Sequence, residues 1–461
     1  MEPIRYYSTN RNSRLKGIKP FRNRVNFPNA LIMGQAPDGG LFMPERLPSL
    51  SFREIAELKS KPYREAALAV GKRFWEDCVP GDVLEDIIRE AYNFEIPLER
   101  VYDRKYVMRL DRGPTASFKD FAARLMSRLM SYLRGPHSHL NVLVATSGDT
   151  GSAIGEAFKG VEGIDVYILY PAREVSARQK KQLDTIGENV RALMVDGKFD
   201  DCQNMVKRAF LDEDLSALNL TSANSINIGR ILPQTIYYIW GYAQVAEAGE
   251  EAVISVPSGN FGNAFGCELA RRMGLPLHRL LMPTNENNEF SQFLSRGIYH
   301  KIDPSRKCLS NAMNVGHPSN LARFFDIYGG NVDKEGKVHA VPDLDLMRKR
   351  IFSVSVSDEE TKKTIVEAYK KHGLLLEPHG AVGWRGLEKF LEEEGDFPLC
   401  ISIETAHPAK FPDEIEELLG IHPPVPPSLR GLEERSGEPL TMPNNYRAFK
   451  SFLQSNLRSA D

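Results

Sequence analysis

The sequence predicts an α/β protein of two or three lobes built around parallel β-sheet. A chain of 461 residues is too long for one ordinary domain. From about Asn141 to Gln244, short β-branched runs alternate with longer amphipathic stretches, the pattern of βα units wound into a parallel sheet. Three polar or glycine-containing loops each precede a helical pattern, which is where open α/β sheets hold their ligands.

Taken in order, the first hundred residues differ from the rest. A turn-rich PDGGLFMPERLP (Pro37 to Pro48) precedes the helical patterns FREIAEL and VLEDIIREAYNF, which together read as an added N-terminal lobe. PTASFKD (Pro114 to Asp120) predicts a helix capped by Ser117, with Asp120 completing an S-x-x-D box. NVLVAT (Asn141 to Thr146) precedes the helix SAIGEAF, DVYILYP (Asp165 to Pro171) precedes VSARQKKQLDTIG, and VRALMVD (Val190 to Asp196) precedes DDCQNMVKRAFLD. The sheet is expected to continue through AVISVP (Ala252 to Pro257), followed by the helix AFGCELARRMG, to a last buried run PLCISIE (Pro398 to Glu404). HPPVPPSL (His422 to Leu429) is too proline-rich for helix or central strand, so the last thirty or so residues are expected to pack as a separate tail.

Composition narrows the function classes. Fifty-nine Lys and Arg against 61 Asp and Glu leave a formal charge of -2, so no global charge marks a nucleic-acid or membrane binder, and any anion site must be local. Five scattered cysteines without a CxxC spacing disfavour a disulfide framework and a zinc site, and fit a reducing cytosol. No apolar run approaches the ~18 residues of a membrane helix, and the N-terminus has no signal-peptide core. His137 and His139, beside Gly135 and Pro136, read as a loop rather than a metal site, so no metal is expected.

Three loops could carry chemistry. SGNFGN (Ser258 to Asn263) lies between strand and helix, where backbone N–H groups converge on a phosphate, although Gly and Asn also occur there for purely conformational reasons. TSGDTGS (Thr146 to Ser152) offers hydroxyls and amides at the same edge of the sheet. SANSINIGR (Ser222 to Arg230) precedes ILPQTIYYIWGYAQV, either as a helix cap with a surface arginine or as part of an anion site. Lys119 falls in the first turn of its predicted helix, where the dipole opposes a cation by ~0.3–1 kcal/mol and favours the nucleophilic amine. A solvated surface lysine is the alternative.

The runs GPTASFKDF, ATSGDTGSA, NSINIGR, SVPSGNFGN, LSNAMNVGHPSN, EPHGAV and TAHPAKF, collinear from Tyr7 to Gly420 and joined by VDGKFDDCQNMVKRAF, resemble the fold type II pyridoxal-phosphate enzymes and, within them, the threonine synthases. That resemblance implies a tryptophan-synthase-β-like α/β fold of two lobes with parallel-rich sheets plus an N-terminal lobe. It divides the chain into an N-terminal lobe (1–100), a first lobe with the cofactor lysine (101–250), a second lobe with the cofactor phosphate loop (251–425) and a tail (426–461), with the lobes interleaved.

It also implies that Lys119 binds pyridoxal 5'-phosphate covalently, that Gly259, Asn260, Phe261 and Gly262 cradle the cofactor phosphate, and that Thr405 meets the pyridine nitrogen and Asp149 the phenolic oxygen. Ser147 and Thr150 would take the substrate carboxylate, and Ser225, Asn227, Arg230 and Asn263 the substrate phosphate. The implied reaction is conversion of O-phosphohomoserine and water to L-threonine and phosphate, the last step of threonine biosynthesis, by a cytoplasmic lyase that is a homodimer by analogy. A hydroxyl at the pyridine nitrogen makes the ring a milder electron sink than a carboxylate would. The chain departs from the pattern at Asp111 and Arg112, where many members have histidine before GPT, and at Asn263, where some have Asp. Arg112 is read as facing solvent, and His379, His407 and Lys410 as structural residues behind the cofactor.

Overall fold

A computed structural model gives the fold and describes residues 2–12, 19–135, 138–247 and 249–458. It contains two main sheets. One has five strands in the order Leu440–Pro443, Val190–Asp196, Ile164–Pro171, Leu140–Ala145, Leu220–Ser222, all parallel. The other has six, in the order Ile351–Phe352, Leu277–Leu281, Ala252–Ser255, Cys400–Glu404, Lys105–Arg109, Leu98–Tyr102, parallel except for the last pair. Helices cover both faces, which is why Leu140–Ala145, Ala252–Ser255 and Cys400–Glu404 are buried at every residue and read as continuous apolar runs rather than alternating ones.

Two expectations need correction. The strand of AVISVP does not extend the sheet of NVLVAT but opens the second one, because a doubly covered β-branched run looks alike whichever sheet it joins. The C-terminal residues do not form a separate tail. Leu440–Pro443 pairs with Leu193 to Asp196 as an edge strand, and Phe449 and Leu453 of the helix Tyr446–Asn456 enter the core beside Leu143, Tyr167 and Leu193. The strand Lys105–Arg109 likewise belongs to the second sheet although it precedes the whole first sheet in sequence.

The N-terminal residues form a small lobe with one antiparallel pair, Tyr6–Ser8 with Phe42–Pro44, and the helices Tyr63–Trp75 and Gly81–Ala91. Tyr63 is its anchor on the main body, its ring meeting those of Phe121 and Trp240 edge-on at 5.4 and 5.8 Å, with Tyr92 of the same lobe against it at 4.8 Å. Arg124 Nε donates to the carbonyl of Ala91 at 2.6 Å, so the lobe also braces the helix Lys119–Leu133 from the side. Among the described residues no helix is long and apolar enough to cross a membrane, and no cluster of three metal-ligating side chains is present. His137 lies outside the described residues, while His139 Nε2 faces Asp165 Oδ2 at 3.0 Å.

Candidate active site

Lys119 opens its helix, as the sequence predicts, but the expected cap is not made. The residue at the cap position is Phe118, and no side chain bonds there. Asp120 instead turns back to accept from the N–H and hydroxyl of Thr115 at 2.9 and 2.6 Å. Tertiary pairing decides this. Ala116 takes φ 55°, the Phe118 N–H donates to Thr405 O at 2.9 Å, and the His407 N–H donates to Ala116 O at 3.0 Å. Ser117 is thereby bridged to Ala406 across the end of the strand Cys400–Glu404, which denies it a capping conformation.

The cavity between the two sheets is lined by Lys119, Ser147, Asp149, Thr150, Ser225, Arg230, Gly259, Asn260, Gly262, Asn263 and Thr405. The loops therefore meet at one crevice, but from facing edges of two sheets rather than along one. Gly148, at φ 132°, starts the helix Asp149–Phe158, and Thr146 Oγ1 accepts from the N–H groups of Gly148 and Gly151 at 2.9 and 2.8 Å.

The Ser258–Asn263 loop is built for close approach. Phe261 takes φ 59° and buries its ring against Phe290 and Phe324, so the side chain is an anchor while its backbone opens the helix Gly262–Met273, which has no side-chain cap. A Cβ at Gly259 would stand 2.7 Å from both Ala312 O and Met313 Cα. Asn260 joins two loops, donating to Ser225 Oγ at 2.8 Å and accepting the Ser319 N–H at 2.5 Å. Asn263 holds its own loop, accepting from Ser258 Oγ at 2.7 Å and donating to Pro257 O at 2.9 Å.

Two residues of the third loop part company. Asn227 does not line the cavity. It is fully buried, with Nδ2 donating to Leu31 O and Ser222 O, both at 2.8 Å, and Oδ1 accepting the Gly229 N–H at 2.9 Å. Where a substrate contact was expected, the structure shows Asn227 clasping the loop to the N-terminal lobe. Arg230 does line the cavity and is buried, not a surface arginine. Its Nη1 donates to Ala223 O at 2.7 Å, its Nε has no partner, and no carboxylate lies within ion-pair distance among the described residues. Burial pulls its guanidinium down to about 10. Asp120 opposes this from beyond ion-pair distance, and a buried cation without a paired carboxylate is a standing demand for an anion.

The charges around Lys119 are arranged in depth. Burial lowers its amine, Lys410 and Arg230 lower it further, and Asp149 opposes them. Burial alone would raise the Asp149 carboxyl, yet Lys410 and Lys119 beside it, with hydrogen bonds from Lys410 and Gln179, hold it well below the usual carboxylate range. His379 lines the cavity with Nε2 accepting the Ala312 N–H. His407, pushed down to about 3 by burial and by Arg109, Arg112 and Lys410, is neutral and accepts the Ala409 N–H at 3.1 Å. Arg112 is half-buried outside the cavity, its Nε 3.4 Å from Asp111 Oδ1. Gln179 escaped the sequence reading because Ser176 and Gln179 form a helix-capping box, which hides that Gln179 Nε2 also donates to Asp149 Oδ1 at 2.9 Å.

Residues 96–398 match the family of pyridoxal-phosphate dependent enzymes, and two further profiles, for the threonine synthase N terminus and C-terminal region, match residues 5–92 and 380–453. The chain is 35% identical to the threonine synthase of Pseudomonas aeruginosa over 471 aligned positions, covering 98% of each chain. It belongs to the threonine synthase family. It is also 38% identical to the threonine synthase of Haemophilus influenzae, over 95% of this chain and 99% of that one. Among solved structures, a pyridoxal-phosphate-bound threonine synthase from Brucella melitensis superposes with a TM-score of 0.87 at 33% identity, covering 99% of this chain and 100% of that one. As a member of this family the protein is a pyridoxal-phosphate-dependent lyase of fold type II. The cavity fits that cofactor: a largely buried amine, an uncapped helix N-terminus, and a glycine pressed against backbone where a side chain would intrude.

Proposed function

We propose that the protein converts O-phosphohomoserine and water to L-threonine and phosphate, with Lys119 carrying the cofactor. One observation carries this reading: the largely buried Lys119 amine and the carboxylate-free guanidinium of Arg230 line the same cavity as the uncapped N-terminus at Gly262. One polar end suits the cofactor phosphate and the other the substrate phosphate.

In this reading the backbone of Gly259, Asn260, Phe261 and Gly262 would hold the cofactor phosphate, Thr405 would take the pyridine nitrogen, and Asp149 the phenolic oxygen. Pyridoxal phosphate, when bound, supplies an electron sink that makes the substrate Cα–H acidic. Lys119, its amine burdened by burial and by two neighbouring cations, is suited to give up its proton and serve as the base at Cα. Ser147 and Thr150 orient the substrate carboxylate from the loop before the helix Asp149–Phe158. Arg230 takes the charge that develops on the γ-phosphate as its bond to Cγ breaks, aided by the Ser225 hydroxyl. Asn227 acts one step back, by holding that loop to Leu31. Facing walls from two sheets keep bulk water from the reacting carbons until one water adds at Cβ.

The five cysteines, all free thiols, support a reducing cytoplasm, and a homodimer remains part of the reading. The test is to incubate the pyridoxal-phosphate-loaded protein with O-phosphohomoserine and quantify phosphate, threonine and 2-oxobutyrate, with Lys119→Ala as control. Equal threonine and phosphate, abolished in the variant, is the expected result. Phosphate with 2-oxobutyrate would make the protein a phospho-lyase of the same fold, and absence of phosphate would refute the substrate.

A further inference from the structure

Asp149 stands between two ammonium groups that share it unequally. Lys410 Nζ lies 2.6 Å from Oδ1, whereas Lys119 Nζ lies 3.6 Å from Oδ2. Gln179 Nε2 adds a second contact to Oδ1 at 2.9 Å. Lys410 is wholly buried and does not line the cavity, so it meets neither solvent nor substrate. Its other bond is to Thr115 O at 3.0 Å, on the loop that leads into Lys119. One side chain therefore ties together the short turn Pro408–Lys410, the start of the helix Asp149–Phe158 and the approach to the lysine helix.

This arrangement answers a problem of charge. An amine that acts as nucleophile and base must pass between charged and neutral forms. A buried carboxylate with that amine as sole partner would hold it as ammonium, or would itself be left unpaired each time the amine lost its charge. A second cation that never leaves the carboxylate removes both difficulties.

We propose that Lys410 is a positioning residue, the standing counter-ion of Asp149, which leaves Lys119 free to change its charge during the reaction. The groups that face Lys119 are Asp149, Lys410, Arg230 and Glu377, those that face Asp149 are Lys410, Lys119 and Gln179, and Lys410 itself also acts on Asp120 and His407, neither of which it touches as closely as Asp149. Of these, Lys410 is the cation held closest to the carboxylate, and unlike Lys119 and Arg230 it does not line the cavity. Because the groups are coupled, the proton affinity that an experiment reads belongs to the cluster, and removing one cation raises it.

The proposal rests on the reading that Lys119 carries the cofactor. The experiment is a pH titration of the cofactor's visible absorption in the holoenzyme, for wild type, Lys410→Met, Asp149→Asn and the double variant. Loss of the Lys410 charge is expected to raise the absorption midpoint by about one pH unit or more, in line with the size of charge effects at such distances. Asp149→Asn, which leaves Lys410 unpaired, is expected to lower it, and the double variant to return toward wild type. A Lys410→Met protein with native circular dichroism and a midpoint within about 0.3 units of wild type would overturn the proposal and leave Lys410 a packing residue. Should Lys410→Met not fold, the comparison of Asp149→Asn with the double variant decides, since equal midpoints there overturn it as well. Failure of the underlying reading is recognised separately, by a lysine-linked chromophore that survives Lys119→Ala.

Discussion

His379 Nε2 accepts the Ala312 N–H at 3.0 Å while its Nδ1 donates to Glu377 Oε2 at 2.6 Å. Nε2 can accept only through its lone pair, so this pairing directs the Nδ1 proton to Glu377 and fixes the orientation of the ring. Ala312 is also the residue whose carbonyl presses on Gly259, so the bond reaches the proposed cofactor cradle through one turn, Asn311–Met313. His379→Ala is expected to weaken pyridoxal-phosphate affinity roughly tenfold, the worth of one buried hydrogen bond. His379→Gln, which can still offer an acceptor, should recover part of the loss. Equilibrium dialysis of the cofactor against both variants checks this, and unchanged affinity in His379→Ala would refute it.

Arg230 couples function to instability. Replacing it by Met removes the anchor proposed for the substrate phosphate, with an expected drop in kcat/KM of about 10²–10³. It also removes a buried cation that lacks a carboxylate partner. The thermal midpoint of Arg230→Met should therefore stay level or rise, as replacing buried charge by apolar volume often does. Steady-state kinetics and calorimetry on the same preparation test the pair of effects.

Asn227 should behave in the opposite way. Its three buried hydrogen bonds join the loop to Leu31, Ser222 and Gly229. Asn227→Ala leaves those backbone groups unsatisfied and is expected to cost about 2–4 kcal/mol in urea unfolding. The kcat/KM of its folded fraction should fall far less than that of Arg230→Met. A large kinetic loss without loss of stability would show that Asn227 contacts substrate after all.

Glu289 predicts a pH dependence away from the site. It opens the helix Glu289–Arg296, is 2% exposed, and its Oε2 has no partner. Burial raises its carboxyl from 4.5 to about 8. An acid with a raised folded-state pKa binds more protons folded than unfolded, so its contribution falls as pH rises from about 4.5 to about 8 and is level beyond. Glu289→Gln should match wild type in stability near pH 4.5 and exceed it by a few kcal/mol at pH 8. Thermal unfolding at several pH values measures the difference, and a gap that does not grow with pH would contradict it.

The local sequence was enough to determine the strands Leu140–Ala145, Ile164–Pro171, Val190–Asp196, Ala252–Ser255 and Cys400–Glu404, each marked by its apolar run. It also determined the loops that follow the first and fourth of these and the presence of Lys119 in a first helical turn, because backbone preference and glycine placement act over a few residues. Tertiary structure alone decided the rest. Whether AVIS joined the sheet of NVLVAT, or Leu440–Pro443 the edge of Val190–Asp196, depended on which hydrogen-bonding edge and which apolar face stood open nearby. Ser117 lost its cap to a bridge with Ala406, just past the strand Cys400–Glu404, and Asn227 lost the cavity to a carbonyl at Leu31. The pairing of Lys410 with Asp149 brings together side chains from distant segments. Its strength comes from removal of water, which no stretch of chain possesses until the sheets close over it.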